Sequence, residues 1–271
     1  MKRKSKLFVL MLFALILIGF SLALPPMNQD LSYHDFADQR QFLKTPNAFD
    51  VFSNFFIFLM GCLGLRFIFY KKLPQQEKIL WMIFFSAVVL TAIFSAYYHL
   101  DPNNQRLSYD RLALSLLFTT FFLVLLEERI NHQVSKKLLI PLIILGLLSV
   151  IYWIKTENLG QGDLRFYGLI QFGPIIMLPL MFLLFPSKYT HQHYLYATLF
   201  LYGLAKLAEV YDREIFKLLD HKLSGHTAKH LLSAVGLLLV IIYIKTRSLS
   251  APTIKTHGFS RFLSSNGKKK S

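Results

Sequence analysis

The chain has one cysteine, Cys62, in 271 residues, so no internal disulfide staples it. Cys62 lies inside an apolar run and reads as a small buried hydrophobe. Charge is scarce as well: 17% of residues are charged, against 54% hydrophobic and 15% aromatic. That balance excludes an ordinary soluble domain and fits an integral membrane protein. Acidic residues are half as frequent as basic ones, 15 against 30, and the formal net charge is +15. In a soluble chain this excess would indicate nucleic acid. Here the lysines and arginines cluster in short segments between apolar runs, so the positive-inside rule accounts for them and no nucleic-acid partner is implied. No run alternates with period two, which argues against barrel strands. No segment repeats at a fixed period, and no Asn-x-Ser/Thr acceptor site occurs.

What is present is a series of eight apolar segments near the ~20 residues that a bilayer-spanning helix needs. They cover roughly 7–24, 48–70, 79–99, 109–126, 137–154, 166–185, 192–211 and 227–245. The expected fold is an all-α integral membrane protein. Residues 1–24 read as an N-terminal signal-anchor or transmembrane helix; its apolar part is long for a cleaved signal, so a retained anchor is expected. Residues 25–246 read as the membrane domain, and 247–271 as a basic, disordered cytoplasmic tail. In the sixth segment, Gly173, Pro174 and Pro179 predict a break or kink.

Charge sets the topology. Lys2, Arg3, Lys4 and Lys6 hold the N-terminus in the cytoplasm. Alternating spans then place the connections carrying Lys71, Lys136 and Lys188 inside, together with the C-terminus. The connections around 25–47, 100–108, 155–165 and 212–225 fall outside.

Two polar clusters stand out on that frame. Ser95 and His99 are four apart, hence on one helix face, at the outer end of the third span. A turn-forming "DPNN" follows, and Asp110 opens the fourth span at the same depth. Far along the chain, "SGHTAKH" sets His226 and His230 four apart at the outer end of the last span. Two histidines at that spacing can bind one ion, though with nine histidines in the chain such a pair arises readily by chance. The topology, read from lysine and arginine alone, nevertheless puts both clusters at one membrane face. Three histidines from two helices with an open fourth position form the ligand set of a catalytic zinc site. Asp110 suits proton transfer and Ser95 an oxyanion donor. The competing reading is that these side chains only pair helices by hydrogen bonds.

Other polar residues have milder readings. Lys206 and Glu209, three apart, are expected to face each other, either lining a cavity or as a structural ion pair. Arg111 is expected as an interfacial anchor. His34, His132, His191, His193, His221 and His257 read as solvated connector residues.

The order Ser-x3-His, Asp eleven residues after that histidine, and a late His-x3-His resembles the alkaline ceramidase family. That family belongs to a superfamily of seven-helix membrane hydrolases that includes the progestin/adipoQ receptors. The stretches "YYHLDPNNQRLSYDRL", "GDLRFYGLIQFGP", "YGLAKLAEVYD", "SGHTAKHLLSA" and "NAFDVFSN" look like blocks of its bacterial ceramidase-like branch, over roughly residues 30–245. The resemblance implies a seven-helix core with the first span additional to it. It implies zinc on His99, His226 and His230, with Asp110 as general base and Ser95 as oxyanion support. The reaction would be hydrolysis of the N-acyl amide of a ceramide-like membrane lipid to a sphingoid base and a fatty acid. Some members also bind calcium near the start of the core. The matching oxygens here would come from Asp35, the Phe36 carbonyl, Asp38 and Asn47, but Arg40 stands where a neutral or acidic ligand is expected. Other function classes are a seven-helix receptor with a structural zinc site, and a hydrolase of another acyl lipid. The expected location is a bacterial inner membrane, multi-pass, with the site near the periplasmic face.

Overall fold

The computed structural model describes residues 1–249; most of the expected tail, residues 250–271, lies outside them. Among the described residues the chain is all-α, with nine helices. They are α1 (Arg3–Ala23), α2 (Ala48–Tyr70), α3 (Gln75–Leu100), α4 (Asn104–Arg129), α5 (His132–Asn158), α6 (Arg165–Leu184), α7 (His193–Val210), α8 (Asp212–Leu218) and α9 (Gly225–Thr246). Helices suit such sequences because lipid offers no partner to an unpaired backbone group.

Seven helices, α1 to α6 and α9, are long and apolar enough to cross a membrane, which fits an integral multi-pass membrane protein. The expected span at 192–211 is helical, but α7 is not among the seven. Lys206 and Glu209 dilute its apolar run, and both turn toward partners in the protein. Even so, α7 runs from one end of the bundle to the other. Its N-cap Gln192 bonds Glu128 and the Tyr243 hydroxyl at one end, and Glu209 meets Lys229 at the end that holds the histidines. The short α8 was not legible as a separate element.

Helix ends follow local chemistry. Asn103, in the expected "DPNN" turn, caps α4 by accepting from the Arg106 amide at 2.9 Å. Ser224 caps α9 in the same way, accepting from the Thr227 amide at 2.9 Å. The sixth span is not broken: α6 runs continuously through Pro174 and Pro179. In a bilayer, competing structures are costlier than one lost helix bond.

Packing proceeds from α7 to α9, then α2, α3, α4, and on to α5 and α6, with α1 against α6. Burial sorts the layers. Of the apolar window of α4, 72% is buried, against 6% for α1. So α4 is the central helix and α1 is a peripheral one. Hydrogen bonds hold α1 at both ends: Arg3 donates to the Ile130 carbonyl at 2.5 Å, and Arg165 to the Leu24 carbonyl at 2.7 Å. Arg165 also pairs with Asp163 at 2.8 Å, which holds that carboxyl below its usual range.

The end of the bundle away from the histidines is closed by a buried polar network. Arg247 pairs with Glu77 and, at 3.3 Å, with Glu128. The Tyr243 hydroxyl donates to Glu128 at 2.6 Å. Arg247 was expected to begin a loose tail, yet its side chain is buried, because two carboxylates on α3 and α4 would otherwise be left without a cation.

Candidate metal centre

The structure brings His99, His226 and His230 together. One ring nitrogen from each lies within 4.8 Å of the others, and all three residues are buried. His99 comes from the C-terminal turn of α3, and His226 and His230 from the first two turns of α9. The helix spacing of four residues stacks the α9 pair on one face. Nε2 of His99 and Nε2 of His226 are 3.2 Å apart. Two nitrogens each ~2.0–2.1 Å from one tetrahedral ion would stand ~3.3 Å apart, so the donor set fits zinc.

The surroundings orient the rings. The Ser53 hydroxyl, on α2, lies 2.7 Å from Nδ1 of His230 and 3.1 Å from the Asp50 carbonyl. A hydroxyl has one proton. Donating it to the carbonyl leaves the oxygen to accept from Nδ1–H, which frees Nε2 of His230 as a ligand. Asp50 in turn accepts from the Thr227 hydroxyl at 2.6 Å, tying α2 to the start of α9. Asp212 accepts from the His226 amide at 2.7 Å. Gly225 is required by close approach: a Cβ there would lie 2.1 Å from the Ala208 carbonyl oxygen and 2.7 Å from the Asp212 Cα. Only a glycine lets α9 begin so near α7. Lys229 donates to Nε2 of His226 and to Glu209, both at 2.9 Å. That imidazole lone pair cannot serve both Lys229 and a metal, and Glu209 gives Lys229 an alternative partner.

His230 also lines a cavity of about 710 Å³, together with Ser95, Asp110, Arg111, Lys206, Glu209 and Lys229. Away from this polar end the walls are apolar side chains of α1, α4, α6, α7 and α9. Residues of both α6 and α7 line the cavity, and these two helices do not pack extensively on each other. Ser95 is buried one turn before His99 on α3, and Asp110 lies in the second turn of α4. Asp110 Oδ1 is buried with no hydrogen-bond partner among the described residues.

The residues expected to bind calcium have partners within the protein. Asp38 is buried, and Arg40 binds it in a fork at 2.8 and 2.6 Å; this pairing raises the Arg40 pKa above its ordinary value. Asp35 pairs with Arg213 at 2.5 Å. The Phe36 carbonyl accepts from Gln39 at 3.3 Å, and Asn47 donates to the His99 carbonyl at 2.9 Å. Guanidinium groups hold the carboxylates a cation would need. Phe36 instead serves the triad: its ring lies 4.6 Å, centroid to centroid, from both His99 and His226.

Several participants escaped sequence reasoning. Ser53 and Asp50 sit three apart in a long apolar run, a signal available in "NAFDVFSN" but not interpretable without knowing that α2 packs on α9. His34 was expected in solvent and instead bridges the Tyr98 hydroxyl and Asn104 at 2.8 and 2.9 Å. Arg111 is buried rather than interfacial. Lys206 and Glu209 do pair, as expected, and Lys229 joins them. No protein-family model matches the chain, nor does any curated protein or solved structure.

Proposed function

We propose that this chain is a zinc-dependent membrane amidase that hydrolyses the N-acyl bond of a ceramide-like lipid to a sphingoid base and a fatty acid. One observation carries the reading. Three buried imidazoles converge, and one of them opens, beside an aspartate and a serine, onto a largely apolar cavity within the helix bundle. A receptor with a structural zinc site has no need of a carboxylate without a partner in that cavity.

In this reading His99, His226 and His230 hold the zinc, which when bound makes water nucleophilic at neutral pH. Asp110 takes the proton as the water oxygen bonds to the amide carbon. It then gives that proton to the nitrogen as the C–N bond breaks. Ser95 donates a hydrogen bond to the oxyanion that develops on the carbonyl oxygen. The apolar walls hold the acyl chain. A two-tailed lipid would reach the cavity laterally from the bilayer, between α6 and α7, which line it without packing extensively on each other. The lysine and arginine pattern supports an external location for this end, with the C-terminus cytoplasmic; a bacterial inner membrane with a periplasmic site follows from the resemblance of the sequence blocks.

The test is mass spectrometry of acyl lipids incubated with purified protein. Short-chain ceramide should be consumed, turnover should stop with chelator, and zinc should restore it. His226→Ala should lose both zinc and turnover. Asp110→Asn should keep zinc and slow turnover ~10²–10⁴-fold. Turnover of a different acyl lipid would keep the chemistry and change the substrate. Zinc-loaded protein that turns over no acyl lipid, yet binds one saturably, would establish the receptor reading instead.

A further inference from the structure

Arg111 is a charged side chain whose position the proposed chemistry does not explain. It lies on α4 next to Asp110, lines the cavity and is only 7% exposed. Its direct contacts are neutral groups, with the Asp110 carboxylate adjacent in the chain. Nη2 donates to the Gln29 side-chain oxygen at 2.5 Å. The guanidinium carbon lies 4.1 Å from the ring centre of Trp153 and 4.9 Å from that of Tyr167. Nη1 has no hydrogen-bond partner, and Arg111 makes no salt bridge among the described residues.

Aromatic faces offset part of the desolvation of a buried guanidinium, but they satisfy none of its N–H donors. Of the other buried arginines, Arg247 has two carboxylates. Arg129 also lacks a carboxylate among the described residues and has an unpartnered Nε, but it does not line the cavity. It makes more hydrogen bonds than Arg111, donating to the Phe185 carbonyl at 2.8 Å and to Gln192. The charges lining the cavity are close to balanced before any ion binds. Arg111, Arg165, Lys206 and Lys229 line the cavity with Asp30, Asp110 and Glu209, and Arg165 is paired with Asp163. Glu209 is shared by both lysines. A bound divalent ion would leave the cavity net positive. A carboxylate or phosphate would meet the unpartnered Nη1 and the planar fork that guanidinium offers such anions; a neutral headgroup would do so less well.

We infer that Arg111 is a specificity-determining residue that recognises an anionic headgroup. The preferred substrate is then an N-acyl lipid with a carboxylate or phosphate close to its amide, and a neutral ceramide is the poorer ligand. This inference rests on the amidase reading for the position of the amide, but anion recognition is measurable without turnover.

The experiment uses zinc-loaded full-length protein in nanodiscs and three amides with one acyl chain: N-dodecanoylethanolamine, its O-phosphate, and N-dodecanoylglycine. Equilibrium binding is measured, with product formation followed in parallel by mass spectrometry. At least one anionic amide should bind ten-fold or more tighter than the neutral one, and which of them does so distinguishes a phosphate from a carboxylate headgroup. Arg111→Gln should bring the ratio close to one, and Arg111→Lys should retain part of it. Equal wild-type affinity for all three overturns the inference even if the glutamine variant fails to fold, as does a preference that survives Arg111→Gln. Discrimination without cleavage of any acyl lipid would sink the amidase reading and leave the anion site standing. Cleavage without discrimination would do the reverse.

Discussion

Replacing Ser53 with alanine isolates the support that α2 gives to the metal site. Ser53 and His230 are both buried, and the Ser53 hydroxyl lies 2.7 Å from Nδ1 of His230, with the Asp50 carbonyl beside it. The lost hydroxyl leaves little else unsatisfied, because the Asp50 carbonyl it donates to also accepts from the Asn54 side chain at 2.8 Å. The cost therefore falls on the imidazole. Orphaning a buried donor costs about 1–3 kcal/mol. Loss of an outer-shell partner weakens metal binding ~10–100-fold, which is about 1.4–2.7 kcal/mol. The two routes agree. Ser53→Ala should thus bind zinc one to two orders of magnitude more weakly while its helical circular dichroism is unchanged, and Ser53→Thr should recover most of the affinity. Competition against a colorimetric zinc chelator reads this directly. Zinc affinity within two-fold of wild type would refute the role given to the Ser53 hydroxyl and the tautomer argued for His230.

Further outcomes follow from the same contacts. Gly225→Ala must push α9 away from the α7 backbone, so Tm and zinc affinity should fall together; a loss of stability with unchanged zinc binding would separate the close approach from the site. Arg247→Met strands Glu77 and Glu128 at the opposite end, where all three side chains are no more than 7% exposed. Removing one partner of such a buried cluster costs about 3–5 kcal/mol, so Tm should drop markedly while zinc stoichiometry stays at wild type. Calcium or its chelator should leave Tm unchanged, since Arg40 and Arg213 hold the carboxylates; stabilisation by millimolar calcium would show that these arginines move aside. Ser95→Ala should slow turnover by at most the few kcal/mol of one oxyanion donor, and an undiminished rate would remove Ser95 from the mechanism.

Much of the fold was legible because lipid imposes a simple rule. A segment must be apolar, near one length and helical, so counting apolar runs recovers eight helices to within a few residues. The departures occur where side chains answer to neighbours rather than to lipid. Gln192 and Glu209 give α7 its length along the bundle although its own hydropathy is modest, and Arg247 is drawn inward by carboxylates more than 100 residues away in sequence.

The sequence by itself determined the helices and singled out the three histidines, because helix period and residue spacing are local properties. It could also place His99 and His226 at one membrane depth, since depth follows from counting spans. Whether the two would meet was decided only by the packing of α3, α2 and α9 around one another. The same holds for Ser53 beneath His230, for Arg40 in the place of a cation, and for Arg111 among aromatic rings. Each depends on which helix lies against which, and that is set by close contacts such as Gly225 on Ala208 that no local pattern encodes.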